Sequence, residues 1–321
     1  MQSIAGGNHR RITFHTGADA KGVVVMGTDV YKLVTDTIVE RMKQGKIPWK
    51  SPYTVRGLRC AVSHGSKEPY SFINQFLLME PGEYFTFNQV QKEGFRIKKG
   101  SKARFVVFWK MLSYSEAKKI GEFIEEDDTL RNSRVIPFLK KYNVFHEGDI
   151  EGFEREKYDE EVDAAKNSEF FRPADDIIDG YANTSRGPKF AIVDCVPHYT
   201  PSLDVVECPQ KAQFVSLSEY YKTVYHELVH STGHKDRLDR GLTGRSDMTG
   251  YSREELVAEI GASYLTSISG LPDQSVDNAV AYLQGWIKPL QSNPKWIVWA
   301  ASRAEAATKY ILNEQPTQKA E

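Results

Sequence analysis

The chain has 321 residues, a net charge of −1 and 40% hydrophobic residues, which is typical of a globular protein with more than one hydrophobic core. Its apolar runs, such as residues 105–109, are far too short to cross a bilayer, which excludes an integral membrane protein. Cys60, Cys195 and Cys208 are scattered without a CxxC pair, which favours a reducing cytoplasm and excludes a disulfide scaffold or a cysteine-based metal site.

The N-terminal half is predicted to contain a tail and then an α+β domain. Residues 1–27 begin as a polar, glycine-rich stretch without the apolar segment of a secretory signal, and we expect them to form a flexible tail. Residues 30–42 carry apolar side chains at helical spacing, and residues 83–87 and 103–109 have the composition of strands. We therefore expect the first domain to span residues 28–150.

The charges of this first domain are unbalanced. Residues 29–110 hold 15 Lys and Arg against 7 Asp and Glu, a net charge of +8 that suits a polyanionic partner. Basic residues alternate with aromatic ones, as in proteins that bind single-stranded nucleic acid through a positive groove and base stacking. A solvated basic face over an ordinary aromatic core explains the same composition equally well. The candidate contacts are Trp49, Arg56, Tyr70, Lys98 and Lys99.

An acidic segment separates the two halves of the chain. Residues 121–180 hold 18 Asp and Glu against 8 Lys and Arg, a net charge of −10, and residues 151–168 are expected to form an acidic linker. The second domain would then span residues 169–321, with strands at 189–193 and 203–206 and helices at 280–290 and 296–312. We expect the strand at 203–206 to be an edge strand beside the functional site, where an extended peptide can add to the sheet.

The run HELVH at residues 226–230 is the most specific chemical signal in the chain. Residues four apart share one face of a helix, so His226 and His230 can bind one metal ion. Glu227 lies beside them, where it can take a proton from a metal-bound water. Ser216 and Glu219 fit a capping box that starts such a helix. The pattern is typical of zinc metallopeptidases.

A second acidic helix is expected to supply the third metal ligand. Glu255 is the preferred ligand, and Glu259, one turn later, is expected to orient a ligating histidine. His234 and Glu254 are the alternatives for the third ligand, and His234 is otherwise expected close to the site. Ser252 and Glu255 also fit a capping box, which would explain Glu255 without any metal.

Taken together, these motifs resemble the antirestriction ArdC family of plasmids and other mobile elements, over nearly the whole chain after about Met26. In the first half the resemblance rests on IPW at 47–49, EPYSFIN at 68–74, FTFNQ at 85–89 and KKGSK at 98–102. In the second half it rests on YYKT at 220–223, HELVHSTGH at 226–234 and YSREELVAE at 251–259. The first set of motifs adds Asn74 and Lys102 to the candidate DNA contacts.

The resemblance implies an α+β protein with two domains, an N-terminal single-stranded-DNA-binding domain and a C-terminal zincin-like metallopeptidase domain. It also implies a role in protecting incoming DNA from host restriction during conjugative transfer. The expected partners are single-stranded DNA and an unidentified protein substrate, such as a host restriction component or regulator. The expected cofactor is Zn²⁺, with Mn²⁺ or Co²⁺ as alternatives because sites made of two histidines and a glutamate accept several metals.

The chemistry that follows from this site is metal-assisted peptide hydrolysis. Glu227 is expected to act as general base and then as proton donor, and Tyr251 is a candidate for stabilising an oxyanion. Two alternatives stay open. The protein can be a DNA-binding shield without proteolytic activity, whose metal site is structural, or a regulatory peptidase that acts on one host protein when DNA activates it.

Overall fold

The computed structural model describes residues 27–50, 60–112, 136–154, 173–242, 252–271 and 279–314. The helices within these residues are α1 (Gly27–Lys43), α2 (Phe72–Leu78), α3 (Phe87–Lys92), α4 (Ala174–Asp179), α5 (Leu217–Ser231), α6 (Arg253–Ile268), α7 (Ala279–Ser292) and α8 (Trp296–Ile311). The strands are β1 (Ala61–Ser63), β2 (Gly82–Phe85), β3 (Arg96–Ile97), β4 (Arg104–Leu112), β5 (Ile136–His146), β6 (Ile150–Glu151), β7 (Lys189–Ile192), β8 (His198–Thr200) and β9 (Val205–Cys208). The α+β prediction is confirmed.

The N-terminal half is built on a four-stranded sheet in the order β1, β2, β5, β4. β1 is parallel to β2, whereas β5 is antiparallel to both of its neighbours. The long β4–β5 pair places Phe108 opposite Lys140, so that alternate residues of the two strands share a face. Helix α2 packs beside β4, and Asn74 of this helix exchanges two hydrogen bonds with the backbone of Val107.

The C-terminal half contains a three-stranded sheet in which β9 lies between β7 and β8. The sequence-based prediction of an edge strand at 203–206 is therefore wrong. Asp204 has a left-handed backbone with a φ of 51° and belongs to the turn after β8, so the strand begins only at Val205 and pairs on both sides. β8 is the strand that lies at the edge of the sheet next to helix α5.

One hydrophobic core runs through both halves of the molecule. Trp49 lies in a single 3₁₀ turn after α1, is 0% exposed, and packs edge-on against Trp286 of α7 with ring centroids 6.4 Å apart. The ring of Phe72 of α2 packs against that of Tyr264 of α6, with centroids 4.7 Å apart and a tilt of 41° between the ring planes. The N-terminal half is thus built onto the C-terminal helices, because its own aromatic residues complete their core.

Several sequence-based expectations lie outside the described residues. These are residues 1–26 of the expected tail, residues 155–168 of the expected linker, and the site candidates Arg56 and Tyr251. Among the residues that the structure does describe, no helix is both long and apolar enough to cross a membrane. Cys195 and Cys208 are free thiols.

Candidate metal centre

Helix α5 carries the two histidines of the HELVH run. Its N-terminus is capped by Ser216, whose hydroxyl accepts a hydrogen bond from the backbone of Glu219 at 3.2 Å. Leu228 and Val229 are fully buried and anchor the helix in the core. The four-residue spacing brings Nε2 of His226 to 3.1 Å from Nε2 of His230. The two nitrogens are therefore close enough to bind the same metal ion.

Helix α6 brings a carboxylate to the same point. Glu255 Oε2 lies 3.2 Å from Nε2 of His226, and its Oε1 lies 3.3 Å from Nε2 of His230. Ligand atoms held about 2.0–2.1 Å from a tetrahedral ion lie about 3.3 Å from one another. These separations between atoms of different residues are about those that such an ion requires. His226, His230 and Glu255, which we call the ligand triangle, form the candidate metal-binding group of the described chain.

The same residue also takes part in the cap of helix α6. Ser252 accepts a hydrogen bond from the backbone nitrogen of Glu255 at 3.1 Å. The cap engages the Glu255 main chain, while the Glu255 carboxylate faces the histidines. The two explanations of Glu255 that the sequence offered are thus compatible, because different atoms serve each.

The charges of the group are arranged as metal binding demands. Burial favours the neutral form of Glu255, but hydrogen bonds with His226 and His230 outweigh it and lower the pKa of the Glu255 carboxyl. Burial likewise favours neutral His230, but hydrogen bonds to Glu254 and Glu255 raise the pKa of the His230 imidazole. Negative charge is therefore concentrated around the Nε2 atoms, and a cation can take the place of the imidazole proton.

Behind His230 lies a buried ion pair that sequence reasoning missed. Glu254 Oε1 is 3.4 Å from Nδ1 of His230, and both Glu254 oxygens accept hydrogen bonds from Arg240, at 2.6 and 3.0 Å. Arg240 also donates to the carbonyl of Val229 and to the hydroxyl of Thr232 at the C-terminal end of α5. Glu254, which the sequence offered as an alternative to Glu255 for the third ligand, thus lies at the Nδ1 side of His230, whereas Glu255 lies at the Nε2 side.

A cleft of about 740 Å³ opens above this group. It is lined by β8 and by His226, Glu227, His230, His234 and Glu255. Glu227 is only 9% exposed, and the surface that it retains faces the cleft. The cleft therefore places one carboxylate that is not in the ligand triangle within reach of anything held there.

The other predicted neighbours of the site take different places. Glu259 Oε1 lies 3.9 Å from Nδ1 of His226, on the side of the ring that faces away from the triangle. His234 lines the cleft and lies outside the triangle, with its Nδ1 accepting a hydrogen bond from the backbone of Asp236. The structure therefore places His234 close to the site, as a residue that lines the cleft.

The predicted DNA contacts divide into buried and exposed residues. Trp49, Tyr70 and Asn74 are 0%, 8% and 0% exposed, so the structure places them in the interior, where they offer little or no surface to a base or a phosphate. The cause is packing: the ring of Tyr70 lies against Tyr84, and the amide of Asn74 is bound to the β4 backbone. The residues that do lie on the surface are Lys98, Lys99 and Lys102.

Both halves of the chain match known families. Residues 28–145 match the N-terminal domain of the anti-restriction factor ArdC, and residues 185–303 match a zincin-like metallopeptidase. Two Escherichia coli DNA primases, both called TraC, are 29% identical to this chain over 90% and 88% of its length. The chain spans only 28% and 20% of the length of these primases.

Two further similarities extend over almost the full length of both proteins. An uncharacterized protein, y4eC, of Sinorhizobium fredii is 26% identical, and the match covers 90% of this chain and 93% of y4eC. The crystal structures of antirestriction ArdC from the R388 plasmid are 28% identical and cover 90% of this chain and 100% of theirs. The TM-score is 0.63 for the Mn(II)-bound structure and 0.60 for the metal-free one. The chain therefore joins an N-terminal domain that matches that of the anti-restriction factor ArdC to a C-terminal zincin-like metallopeptidase domain, and over 90% of its length it is similar to ArdC of the R388 plasmid.

Proposed function

We propose that this protein protects incoming DNA from host restriction, that its C-terminal domain hydrolyses peptide bonds at a divalent metal ion, and that its N-terminal domain binds single-stranded DNA. The observation that carries the enzymatic part is the ligand triangle of His226, His230 and Glu255, at a cleft that Glu227 also lines. The two Nε2 atoms lie 3.1 Å apart, and each lies 3.2 or 3.3 Å from one oxygen of the Glu255 carboxylate.

The donor set suits Zn²⁺, Mn²⁺ or Co²⁺, since two imidazoles and one carboxylate bind all three. The R388 ArdC protein has been crystallised with Mn(II), which supports Mn²⁺ as a candidate here. When bound, such an ion supplies a Lewis acid for the peptide carbonyl and activates a water molecule.

Each residue of the centre has a separate task. His226, His230 and Glu255 hold the ion, and Arg240 and Glu254 hold the far side of His230. Glu227 accepts the proton of the attacking water and returns it to the leaving amine. Glu227 suits this task because it is almost completely buried, which restricts the motion of its carboxylate, and because its exposed part faces the cleft where a substrate would bind.

Strand β8 is the candidate docking edge for an extended peptide substrate. It pairs with β9 on one side, lies at the edge of its sheet and lines the cleft through residues 198–200. A peptide that adds to this edge forms main-chain hydrogen bonds and passes directly over the ligand triangle. Docking at β8 replaces the expectation that residues 203–206 form this edge.

A different surface from the one expected is the candidate for base stacking. Phe108 is 45% exposed, and its ring lies 5.8 Å from that of half-buried Tyr142 on the same face of the β4–β5 pair. Lys140 lies 5.1 Å from the Tyr142 ring, and exposed Lys110 is on the same face. We call these four residues the aromatic–basic face; aromatic rings beside lysines are what single-stranded DNA requires.

The test is the survival of unmodified DNA that enters a restricting host supplied with wild-type protein or with Glu227→Gln. We expect Glu227→Gln to retain the metal, to slow peptide hydrolysis by about 10²–10⁴-fold, and to abolish protection. Glu219→Gln, an exposed carboxylate on the same helix, is the control and should protect as wild type does. Full protection by Glu227→Gln would refute the proteolytic function and favour the DNA-binding shield.

A further inference from the structure

A line of polar contacts connects the N-terminal half to the candidate metal centre. Trp49 Nε1 donates a hydrogen bond to the hydroxyl of Tyr282 at 3.1 Å, and this hydroxyl donates to Glu259 Oε2 at 3.0 Å. The other oxygen of Glu259 lies 3.9 Å from Nδ1 of His226. Trp49 belongs to the segment that matches the ArdC N-terminal domain, whereas the other three residues belong to the zincin-like segment.

The chemistry of these groups sets the direction of each hydrogen bond. An indole nitrogen only donates, so the Tyr282 oxygen must accept from Trp49 and directs its own proton to Glu259. The Glu259 carboxylate lies 3.9 Å from Nδ1 of His226, beyond hydrogen-bond distance, and its negative charge favours the tautomer with the proton on that nitrogen. Nε2 of His226 is then the nitrogen with a free lone pair, which is the tautomer that binds a metal ion at this position.

Trp49, which is the end of this line of polar contacts farthest from His226, is held rigidly. Trp49 has no exposed surface and is fixed between Trp286 of α7 and Phe76 of α2, each with ring centroids 6.4 Å from its own. Burial raises the pKa of Tyr282 well above its ordinary value, so the hydroxyl keeps the proton that it donates. Neither group can turn away from Glu259 without disturbing the core that the two halves share.

We propose that Trp49 and Tyr282 are positioning residues for the metal centre, through which the N-terminal half holds Glu259 against His226. This inference rests on the proposed function, because it takes His226 as a metal ligand. Its consequence is that metal binding is a property of both halves together. The ArdC-type domain thus has two roles: it presents the aromatic–basic face, and it supports the metal ligand His226 of the zincin-like domain.

The test measures Mn²⁺ affinity of the full chain by isothermal titration calorimetry. Trp49→Phe and Tyr282→Phe each keep an aromatic ring and remove one hydrogen-bonding group, and we expect each to weaken Mn²⁺ binding by about tenfold. Glu259→Gln should weaken it by about 10–100-fold. Tyr84→Phe, which removes another buried hydroxyl, and Trp109→Phe, which makes the same substitution at an exposed tryptophan, are the controls and should bind Mn²⁺ as wild type does.

The double variant separates positioning from packing. After Tyr282→Phe has removed the hydroxyl, Trp49→Phe can no longer act on Glu259, so it should leave Mn²⁺ affinity unchanged in that background. A role in packing alone would lower the melting temperature in both backgrounds without this dependence. Wild-type Mn²⁺ affinity in both single variants, or losses that add in full in the double variant, would overturn the inference.

His226→Ala distinguishes failure of this inference from failure of the proposed function. If His226→Ala loses Mn²⁺ binding while Trp49→Phe and Tyr282→Phe retain wild-type affinity, only the inference is overturned. If His226→Ala binds Mn²⁺ as wild type does, the proposed metal centre is wrong and the inference is overturned with it.

Discussion

The two histidine ligands, His226 and His230, are held by different kinds of contact. His230 is 2% exposed and is supported on its far side by Glu254, which is itself paired with buried Arg240. His226 is 20% exposed and faces Glu259 more loosely, at 3.9 Å. Removing one partner of a buried ion pair leaves an uncompensated charge and is costly. The His230 side of the centre is therefore the fixed side, and the His226 side is the one that neighbouring groups can adjust.

The aromatic–basic face leads to an expectation about a single side chain. Replacing Phe108 with Ala removes a half-exposed ring, and we expect single-stranded DNA binding to weaken by about 1–3 kcal/mol, the worth of one stacked base. Fluorescence anisotropy of a labelled oligothymidine at fixed low salt measures the change. Phe87→Ala, which removes an exposed ring from α3, is the control. Equal binding by Phe108→Ala and wild type would exclude Phe108 from the DNA surface.

Residue spacing was enough to place His226 and His230 on one side of a helix, because helix geometry determines which side chains share a face. It left the third ligand open between Glu255, His234 and Glu254, because these residues lie outside that helix. The same approach did not indicate that Trp49 is buried. Its neighbours are basic, which is typical of a nucleic-acid surface, but it is buried against residues of α7 more than two hundred positions away. A local pattern contains no information about such a contact, so it cannot separate a stacking residue from a core residue.

At the scale of elements, the close approach of α5 and α6 sets the distance between the histidines and Glu255. The helices meet where Gly261 faces Val229, and a Cβ at Gly261 would lie 2.7 Å from Val229 Cγ2. Val229 adjoins His230, and Gly261 lies on the helix that begins with Glu254 and Glu255. The small residue therefore has a packing purpose that outweighs its poor helix propensity.

Gly261→Ala tests this contact. Alanine would favour the isolated helix by about 1 kcal/mol, but overlap with stiff, buried Val229 should cost more, about 1–3 kcal/mol, so we expect a net loss of stability. Urea unfolding of Gly261→Ala, Val229→Ala and the double variant measures it. The added methyl fits the space left by Val229→Ala, so the double variant should lose less than the sum of the single losses. Simple additivity would contradict this account of the helix crossing.

Arg240 joins the two helices through their ends. It donates to carbonyl groups at the C-terminus of α5 and pairs with Glu254 in the first turn of α6, so each charge lies at the helix end that favours it. Gly233 leaves room for it, since a Cβ there would lie 3.0 Å from the guanidinium carbon. The sequence indicated the helices through their caps and spacing. It could not indicate this connection, which depends on how residues 233–242 return to the site.

At the scale of the whole molecule, the two halves share one core. Buried members of this core come from α1 and α2 as well as from α5, α6, α7 and α8. Contacts between domains are usually smaller and more polar than this, which allows the domains to move independently. Here the aromatic side chains of one half fill the interior of the other, so we expect the halves to unfold together.

Hydrogen exchange in increasing urea, followed by mass spectrometry, can test this cooperativity. Peptides from α1 and from α6 should lose protection at the same urea concentration, because neither helix keeps its core without the other half. Peptides from β3 and β6 are an internal comparison, since they belong to a separate small cluster and are free to open earlier. Loss of α1 protection at clearly lower urea than that of α6 would show that the halves are independent.

The most direct test of the central claim is the metal content of the purified chain after loading with Mn²⁺ and removal of free ion. If His226, His230 and Glu255 hold the ion, wild type and Glu227→Gln should each retain about one ion per chain, and Glu255→Ala should lose it. Inductively coupled plasma mass spectrometry measures the number of Mn²⁺ ions per chain, and circular dichroism confirms that each variant is folded. A folded Glu255→Ala that retains its ion as wild type does would contradict the assignment of this centre.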